Sequence, residues 1–350
     1  MATQTQPLVS IITPVYNGAE FLRECIESVL AQTYTNWDYT ILNNCSTDGT
    51  LAIAEEYAAK DPRIRVVNNA KFLRVIANHN EAMRLASPAS KYCKMVFADD
   101  WMYPECLEKM VALAECNVSV GIVGSYRLVG NAVQSDGPTF GKPVVSGREI
   151  CRAVLLRGIY PFGTSTSLLF RGDLVRGRNP YFNESNFHAD SETCYELLKE
   201  SDFGFVHQVL TFTRVQMGTL SFVSLQKGTL FAGNLGDLLK FGPFYLRPEE
   251  FQATLRERLR DYYRFLGRAV FERRRKGFLA FHAGKLKELG LSLSRPRVFL
   301  HAVRYALDQV LALNRWPYVL SKRILRATIS KRREISGEEM RVREQHHFTD

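Results

Sequence analysis

Asp99 and Asp100 are the residues whose types and position point most directly to chemistry. They close the apolar run 92–98, which predicts a buried strand of a parallel sheet, and they precede Trp101-Met102-Tyr103-Pro104. Open α/β sheets take their ligands beyond the carboxyl ends of the strands, so the pair is expected at a crevice. Two like charges side by side are costly unless a cation neutralises them. A divalent metal such as Mg2+ or Mn2+ meets that need, since hard ions are held by one or two carboxylates together with substrate phosphates. The same pair also suits the N-terminus of a helix over residues 105–115, with Pro104 in its first turn.

The elements that must hold such a pair alternate along the chain. Residues 8–13 form a β-branched apolar run, the expected first strand, ending in Pro14-Val15-Tyr16-Asn17-Gly18. A helix over 19–31 places Phe21, Leu22, Cys25, Ile26, Val29 and Leu30 on one face. Residues 37–42 return as a second strand, closed by a polar loop in which Ser46 or Thr47 caps a helix over 50–60. A strand over 63–68, a helix over 75–86 and a strand over 119–129 complete the pattern. Strands alternating with helices of this length predict an α/β fold, a doubly wound, mixed and mostly parallel sheet. No glycine-rich dinucleotide fingerprint follows the first strand and no P-loop occurs anywhere, so phosphate falls to metal and side chains.

Composition is that of an ordinary globular chain, 46% hydrophobic and 23% charged over 350 residues. Its seven cysteines are odd in number and scattered, which fits a reducing compartment better than a disulfide framework or zinc site. The first residues show no signal-peptide pattern and no apolar run approaches ~18 residues, so a cytoplasmic location is expected. The Asn-x-Ser triplets at Asn44, Asn117 and Asn183 are then chance matches. The net charge of +10 is uneven: residues 235–350 hold 25 Lys+Arg against 13 Asp+Glu, while 1–234 hold 21 against 23. That shift predicts a catalytic domain over 1–234, a basic helical C-terminal extension over 235–330, and a polar tail over 331–350 expected to be flexible.

Four stretches, in order, carry a resemblance: Val9 to Asn17, Ser28-Val29-Leu30-Ala31-Gln32-Thr33-Tyr34, Asn44-Cys45-Ser46-Thr47-Asp48-Gly49-Thr50, and Ala98-Asp99-Asp100. Together they resemble the landmarks of family 2 glycosyltransferases over roughly residues 8–215. The resemblance implies a GT-A fold, a nucleotide-sugar donor (UDP-, dTDP- or GDP-linked), a divalent metal, and inversion at the anomeric carbon. It implies that Pro14 and Tyr16 line the base pocket. Asn44 stands where the family usually has an aspartate on the base or ribose; an amide both donates and accepts, so the preferred base is left open. Asp99 and Asp100 match the end of the D-x-D-D element as metal and ribose residues, with Phe97 in place of its first aspartate. Phe187 to Leu198 resembles the Glu-Asp helix start, with Ala189 replacing Glu, so Asp190 is the candidate general base; it also suits a helix cap. In Phe212 to Ser221, Gln216 occupies a histidine position and Arg214 remains as a diphosphate partner.

Lys71, Arg74, His79 and Lys94 are further candidates for neutralising diphosphate, against solvation or, for Lys94, pairing inside the sheet. Gly163 to Arg171 suits either a strand whose start faces the acceptor or a plain edge strand. Beyond residue 234, Phe251, Leu255, Leu259, Tyr262 and Leu266 recur at helical spacing among Arg256, Arg258, Arg260, Arg264, Arg268 and Arg273 to Arg275. Helical patterns over 278–289 and 298–313 follow, then Trp316-Pro317-Tyr318. Such basic amphipathic helices suit either the inner, anionic surface of a membrane or packing on the catalytic domain. Basic charge without a recognised motif argues against nucleic acid as a partner. The leading function is transfer of a sugar to a glycan or lipid-linked acceptor in surface polysaccharide or glycoconjugate synthesis. Transfer to a polyprenyl phosphate, and a non-catalytic nucleotide-binding scaffold on a degenerate GT-A fold, are the alternatives.

Overall fold

The computed structural model describes residues 6–215, 224, 226–272 and 277–314. Gln216, Arg273 to Arg275, Trp316 to Tyr318 and the 331–350 tail lie outside them. β1 (Val9–Val15) is the spine of the sheet, and its continuous apolar character is explained by burial of every residue. After α1 (Leu22–Leu30), β2 (Trp37–Asn43) pairs parallel to β1; after α2 (Thr50–Ala58), β3 (Ile64–Asn68) pairs parallel to β2. α3 (Val75–Arg84) leads into β4 (Tyr92–Met95), parallel to β1 on its other side. β5 (Trp101–Met102), α4 (Cys106–Glu115), β6 (Val120–Val129), β7 (Ala132–Gln134), β8 (Val144–Ser146) and α5 (Gly147–Arg157) come next. β9 (Leu168–Arg171), α6 (Gly172–Arg176), α7 (Ala189–Leu197) and β10 (Asp202–Thr213) complete the strands. The sheet order is β3-β2-β1-β4-β9-β6-β10-β5. The long pairings are parallel, and β9 runs antiparallel between β4 and β6. This is the expected α/β fold. β9, however, is interior, so the edge-strand expectation for residues 163–171 fails.

Successive residues of the spine feed different faces. Ile11 and Ile41 pack with Leu22, Cys25 and Ile26 of α1, whereas Ile12 and Leu42 pack with Ala82 and Met83 of α3. Both faces are covered, so the carboxyl ends of β1, β2, β4, β6 and β10 are left to carry function. Lys94 shows the cost of this burial. Fully inside β4, its ammonium donates to the carbonyls of Thr166 and Leu168, the latter at 3.0 Å, and burial lowers its pKa. It fastens the short helical turn Ser165–Ser167 beneath the site and is not a diphosphate ligand.

The chain divides into compact units that part after Arg258. The charge shift at Leu235 instead lies within α8 (Thr229–Tyr245), whose Leu238, Phe241 and Tyr245 belong to the first unit's core. Composition changed earlier than packing did. α9 (Pro248–Phe271) runs through the point of division. In the second unit its later turns pack with α10 (Phe278–Glu288) and α11 (Arg295–Asn314). Tyr262 Oη and His282 Nδ1 are 2.7 Å apart, and a Cβ at Gly267 would come within 2.7 Å of the His301–Ala302 backbone. Among the described residues no helix is long and apolar enough to cross a membrane.

Candidate active site

The loop after β1 is laced to the loop after β2. Asn17 adopts φ 48°, a left-handed conformation that asparagine tolerates. Its Oδ1 accepts from Thr47 N at 2.8 Å, while Gly18 N donates to Thr50 Oγ1 and Ala19 N to Asp48 Oδ2. Asp48 Oδ1 accepts from Thr50 N, and the N-cap position is Gly49, so the expected capping by Ser46 or Thr47 is taken over by the aspartate. Pro14 is buried at the end of β1, and Tyr16 beyond it is 48% exposed. The Tyr16 ring meets Phe72, 55% exposed, edge-on at 4.8 Å between centroids.

Asn44 is buried and its amide is engaged: Oδ1 accepts from Asn69 Nδ2 (2.8 Å) and Leu73 N (2.9 Å), and Nδ2 donates to Leu73 O (2.9 Å). In this structure it clamps the 69–73 loop that presents Phe72. Lys71 lies in that loop and Arg74 follows it, and both are exposed. His79 stacks on Phe97 at 4.9 Å, and burial pulls its pKa down to about 4. A neutral imidazole is no phosphate cation, which removes His79 from the basic candidates.

β4 ends at Met95, three residues short of the apolar run, although Val96 N still donates to Ile12 O at 2.9 Å. Asp100 N donates to Phe97 O, turning the chain so that both aspartates stand beyond the strand. They do not cap α4: the N-cap there is Glu105, and β5 intervenes. Asp100 is only 2% exposed; Oδ1 accepts from Arg214 N at 3.0 Å, and Oδ2 is buried without a partner. Burial, reinforced by neighbouring Asp99, pushes the Asp100 pKa up to about 7, and burial also raises that of Asp99. Arg214 donates from Nε to Asp99 O at 3.2 Å, pairs with Glu24, and lies over the Phe21 ring at 4.4 Å. It ties the aspartate turn to α1.

Asp190 occupies the first turn of α7; the N-cap is His188, so the capping alternative fails. Its Oδ1 accepts from Ser191 N at 2.9 Å, and burial raises its pKa against the opposing charges of His188 and Arg127. α8 packs beside it: His188 Nε2 is 3.2 Å from Thr229 Oγ1, and a Cβ at Gly233 would collide with the His188 ring. Lys240 of α8 pairs with Glu192 at 2.6 Å. Asp237 lies between these contacts, buried, and its pKa is pushed up to about 8 by burial and then by Glu192 and Asp190.

Two charged residues here were absent from the sequence-level candidates. Arg127 is the one charged residue of β6 and is 7% exposed; Asp237 stands in the largely apolar α8. A charge interrupting a buried run was the available signal for both. The Arg127 charge opposes the rise in pKa of both Asp100 and Asp190, so it lies within electrostatic reach of each.

A mixed sheet with adjacent carboxylates at the carboxyl end of a central strand is the architecture of the GT-A class. Residues 10–171 match the family model described as "Glycosyl transferase family 2". The chain is similar to EpsE of Bacillus subtilis (strain 168), named as a glycosyltransferase, with 39% identity over 124 residues, 35% of this chain and 44% of EpsE. It is similar to TuaG of the same strain, named as a teichuronic acid biosynthesis glycosyltransferase, with 35% identity over 109 residues, 31% of this chain and 42% of TuaG. The aligned stretch thus spans less than half the length of either relative. Among solved structures, the mannosyltransferase PcManGT from Pyrobaculum calidifontis, in complex with GDP-Man and Mn2+, shares the fold: TM-score 0.53, 18% identity, 87% of this chain and 81% of that one.

Proposed function

We propose that this chain is an inverting glycosyltransferase that moves a sugar from a nucleotide-sugar donor to a hydroxyl of a glycan or lipid-linked acceptor, in the synthesis of a polysaccharide or glycoconjugate. One observation carries the reading: two adjacent carboxylates beyond β4, both raised by burial, with one Asp100 oxygen buried and unpartnered. The name of TuaG and the nucleotide sugar in the PcManGT complex support the substrate classes.

The residues fit a divalent ion of the substrate-shared kind. Among the described residues no group of three or more His, Cys, Asp or Glu could hold a metal alone. Asp99 and Asp100 supply two ligands, and donor phosphates complete such a set in sites of this type. When bound, Mg2+ or Mn2+ offsets the negative charge of the leaving diphosphate. Tyr16, with Phe72 at its edge, offers an exposed face for the base, and Asn44 holds the loop that carries Phe72. Arg214 steadies the aspartate turn and contributes positive charge next to the phosphates. Asp190, its pKa raised by burial, accepts the acceptor hydroxyl proton as that oxygen attacks the anomeric carbon. The bond from that carbon to the diphosphate oxygen breaks, and the nucleoside diphosphate leaves with the electron pair.

A membrane-surface acceptor is favoured by a separate observation. Phe299, Leu300, Val303, Leu307, Val310 and Leu311 of α11 are all exposed, and Arg295, Arg297 and Arg304 lie on the same helix. Apolar side chains flanked by arginines suit an anionic bilayer surface. A screen of UDP-, dTDP- and GDP-sugars for hydrolysis with and without Mn2+ tests the transferase reading; no turnover of any donor would contradict it.

A further inference from the structure

The chain that delivers the two aspartates outruns one side of its sheet. β4 pairs antiparallel with β9 only at Tyr92 opposite Arg171 and Cys93 opposite Phe170. Continued at the same register, that ladder would set Phe97 opposite Thr166. The segment before β9 coils there instead. Ser165–Ser167 is a short helical turn, closed by Ser167 N on Thr164 O at 2.8 Å and by Ser167 Oγ, which accepts from Thr164 N at 3.1 Å.

Two side-chain bonds stand in for the missing ladder. Lys94 Nζ donates to the carbonyls of Thr166 and Leu168, the latter at 3.0 Å. Three residues further along the same chain, Phe97 N donates to Thr166 Oγ1 at 3.2 Å. Thr166 therefore holds the end of β4 twice, by its carbonyl at Lys94 and by its hydroxyl at Phe97. Lys94 and Thr166 are both 0% exposed. A lysine is almost never buried so completely unless paired, and here main-chain carbonyls are what its ammonium meets. That burial costs desolvation, and what it fixes in place is this turn.

The aspartates hang on the same contact. The β1 ladder ends with Met95 opposite Ile12, and Val96 N still donates to Ile12 O at 2.9 Å. Phe97 comes next: Thr166 holds its N, while its O accepts from Asp100 N at 2.9 Å and from Cys25 Sγ at 3.5 Å. Phe97 thus places the Asp100 main chain, and Arg214 N fixes Asp100 Oδ1 at 3.0 Å. The buried, unpartnered Oδ2 is aimed by these two constraints. Mg2+ demands near-ideal ligand geometry, and groups that orient metal ligands govern affinity almost as strongly as the ligands do.

We propose that Thr166 is a positioning residue for the divalent ion at Asp99 and Asp100: its hydroxyl holds Phe97, and through Phe97 the turn that aims the Asp100 carboxylate. The inference rests on the metal-dependent reading of the site and deepens it. Thr166 acts through Phe97, so removing its hydroxyl weakens the metal and spares the bare nucleotide.

The test is calorimetric titration of Mn2+ into the protein saturated with UDP, and separately with GDP, beside titrations of each nucleotide without metal. Thr166→Val keeps the shape and removes the hydroxyl, so Mn2+ affinity should fall about 10- to 100-fold. Metal-free nucleotide affinity should stay unchanged. Thr166→Ser keeps the hydroxyl and should bind Mn2+ almost as the native protein does. Thr166→Ala, compared with the serine variant, isolates the hydroxyl a second time and guards against a folding defect in the valine variant. Native Mn2+ affinity in the valine and alanine variants overturns the inference. Equal loss in the serine variant overturns it too, because packing of the methyl group is then responsible. So does a parallel loss of metal-free nucleotide affinity, which marks a general disturbance of the site. All three results leave the transferase reading standing. Failure of the native protein to take up Mn2+ with either nucleotide overturns the metal reading itself.

Discussion

Asp100→Asn is the substitution for which the structure gives both sign and size. In the folded protein the Asp100 pKa is pushed up from 3.8 to about 7. Below pH 4 the carboxyl is protonated in folded and unfolded chains alike, and the folded state pays nothing. As pH rises from 4 toward 7 the unfolded chain releases the proton while the folded one retains it, so stability is lost across that window. A rise of about three units at 1.36 kcal/mol each sets a ceiling of roughly 4 kcal/mol for the loss. Asparagine cannot ionise, keeps the size, and still offers Oδ1 to Arg214 N. At pH 8 without divalent ions, Asp100→Asn should raise Tm, by at most ~10 °C for a unit of this size. At pH 4 it should change Tm little. Addition of Mn2+ with UDP should stabilise the native protein at pH 8 and the variant much less, because mass-action stabilisation requires the ligand to bind the folded state. Differential scanning fluorimetry from pH 4 to 8 reads all of these. An equal shift at both pH values, or destabilisation throughout, would show that Asp100 is not a strained carboxylate and would remove the argument for a cation there.

Asp237, whose pKa is pushed up to about 8, follows the same sign, so Asp237→Asn should stabilise the protein at pH 9 and leave Tm at pH 4 nearly unchanged; a loss at pH 9 would mean the carboxylate is compensated. The exposed apolar stripe of α11 should bring the protein down with anionic vesicles, with binding weakened by salt through screening. Equal recovery with neutral vesicles, or a stripe that instead drives self-association without lipid, would contradict the membrane-surface reading.

The sheet was legible because burial on both faces writes itself as continuous apolar runs, as in β1, and because 3.6-residue periodicity marks α1. The aspartate pair was legible for the converse reason: two charges directly after an apolar run have few structural uses. What the sequence could not show is which polar groups satisfy one another. Asn44 reads as a ligand by position, yet three hydrogen bonds to Asn69 and Leu73 commit it to a loop. Lys94 and Arg127 look alike as single cations inside strands. The first is satisfied by two carbonyls, and the second keeps an orphaned Nε. Only the pairing across β4, β9 and β6 distinguishes them. Asp237 reads as the polar face of a helix and is buried because α8 packs on His188 and Glu192. The boundary at residue 258 was hidden because basic residues begin inside α8, a helix that the first unit's core claims.

The central claim is that Asp190 removes the acceptor proton while other residues hold the donor, and one comparison tests it most directly: turnover and donor affinity of Asp190→Asn side by side. Asparagine preserves size and the contact from Ser191 N and removes a carboxylate that burial disfavours, so Tm should not fall and Mn2+-dependent binding of the accepted nucleotide sugar should stay within about twofold, while kcat falls by ~10²–10⁴-fold. Turnover close to that of the native protein, or loss of donor binding in parallel with turnover, would contradict the account.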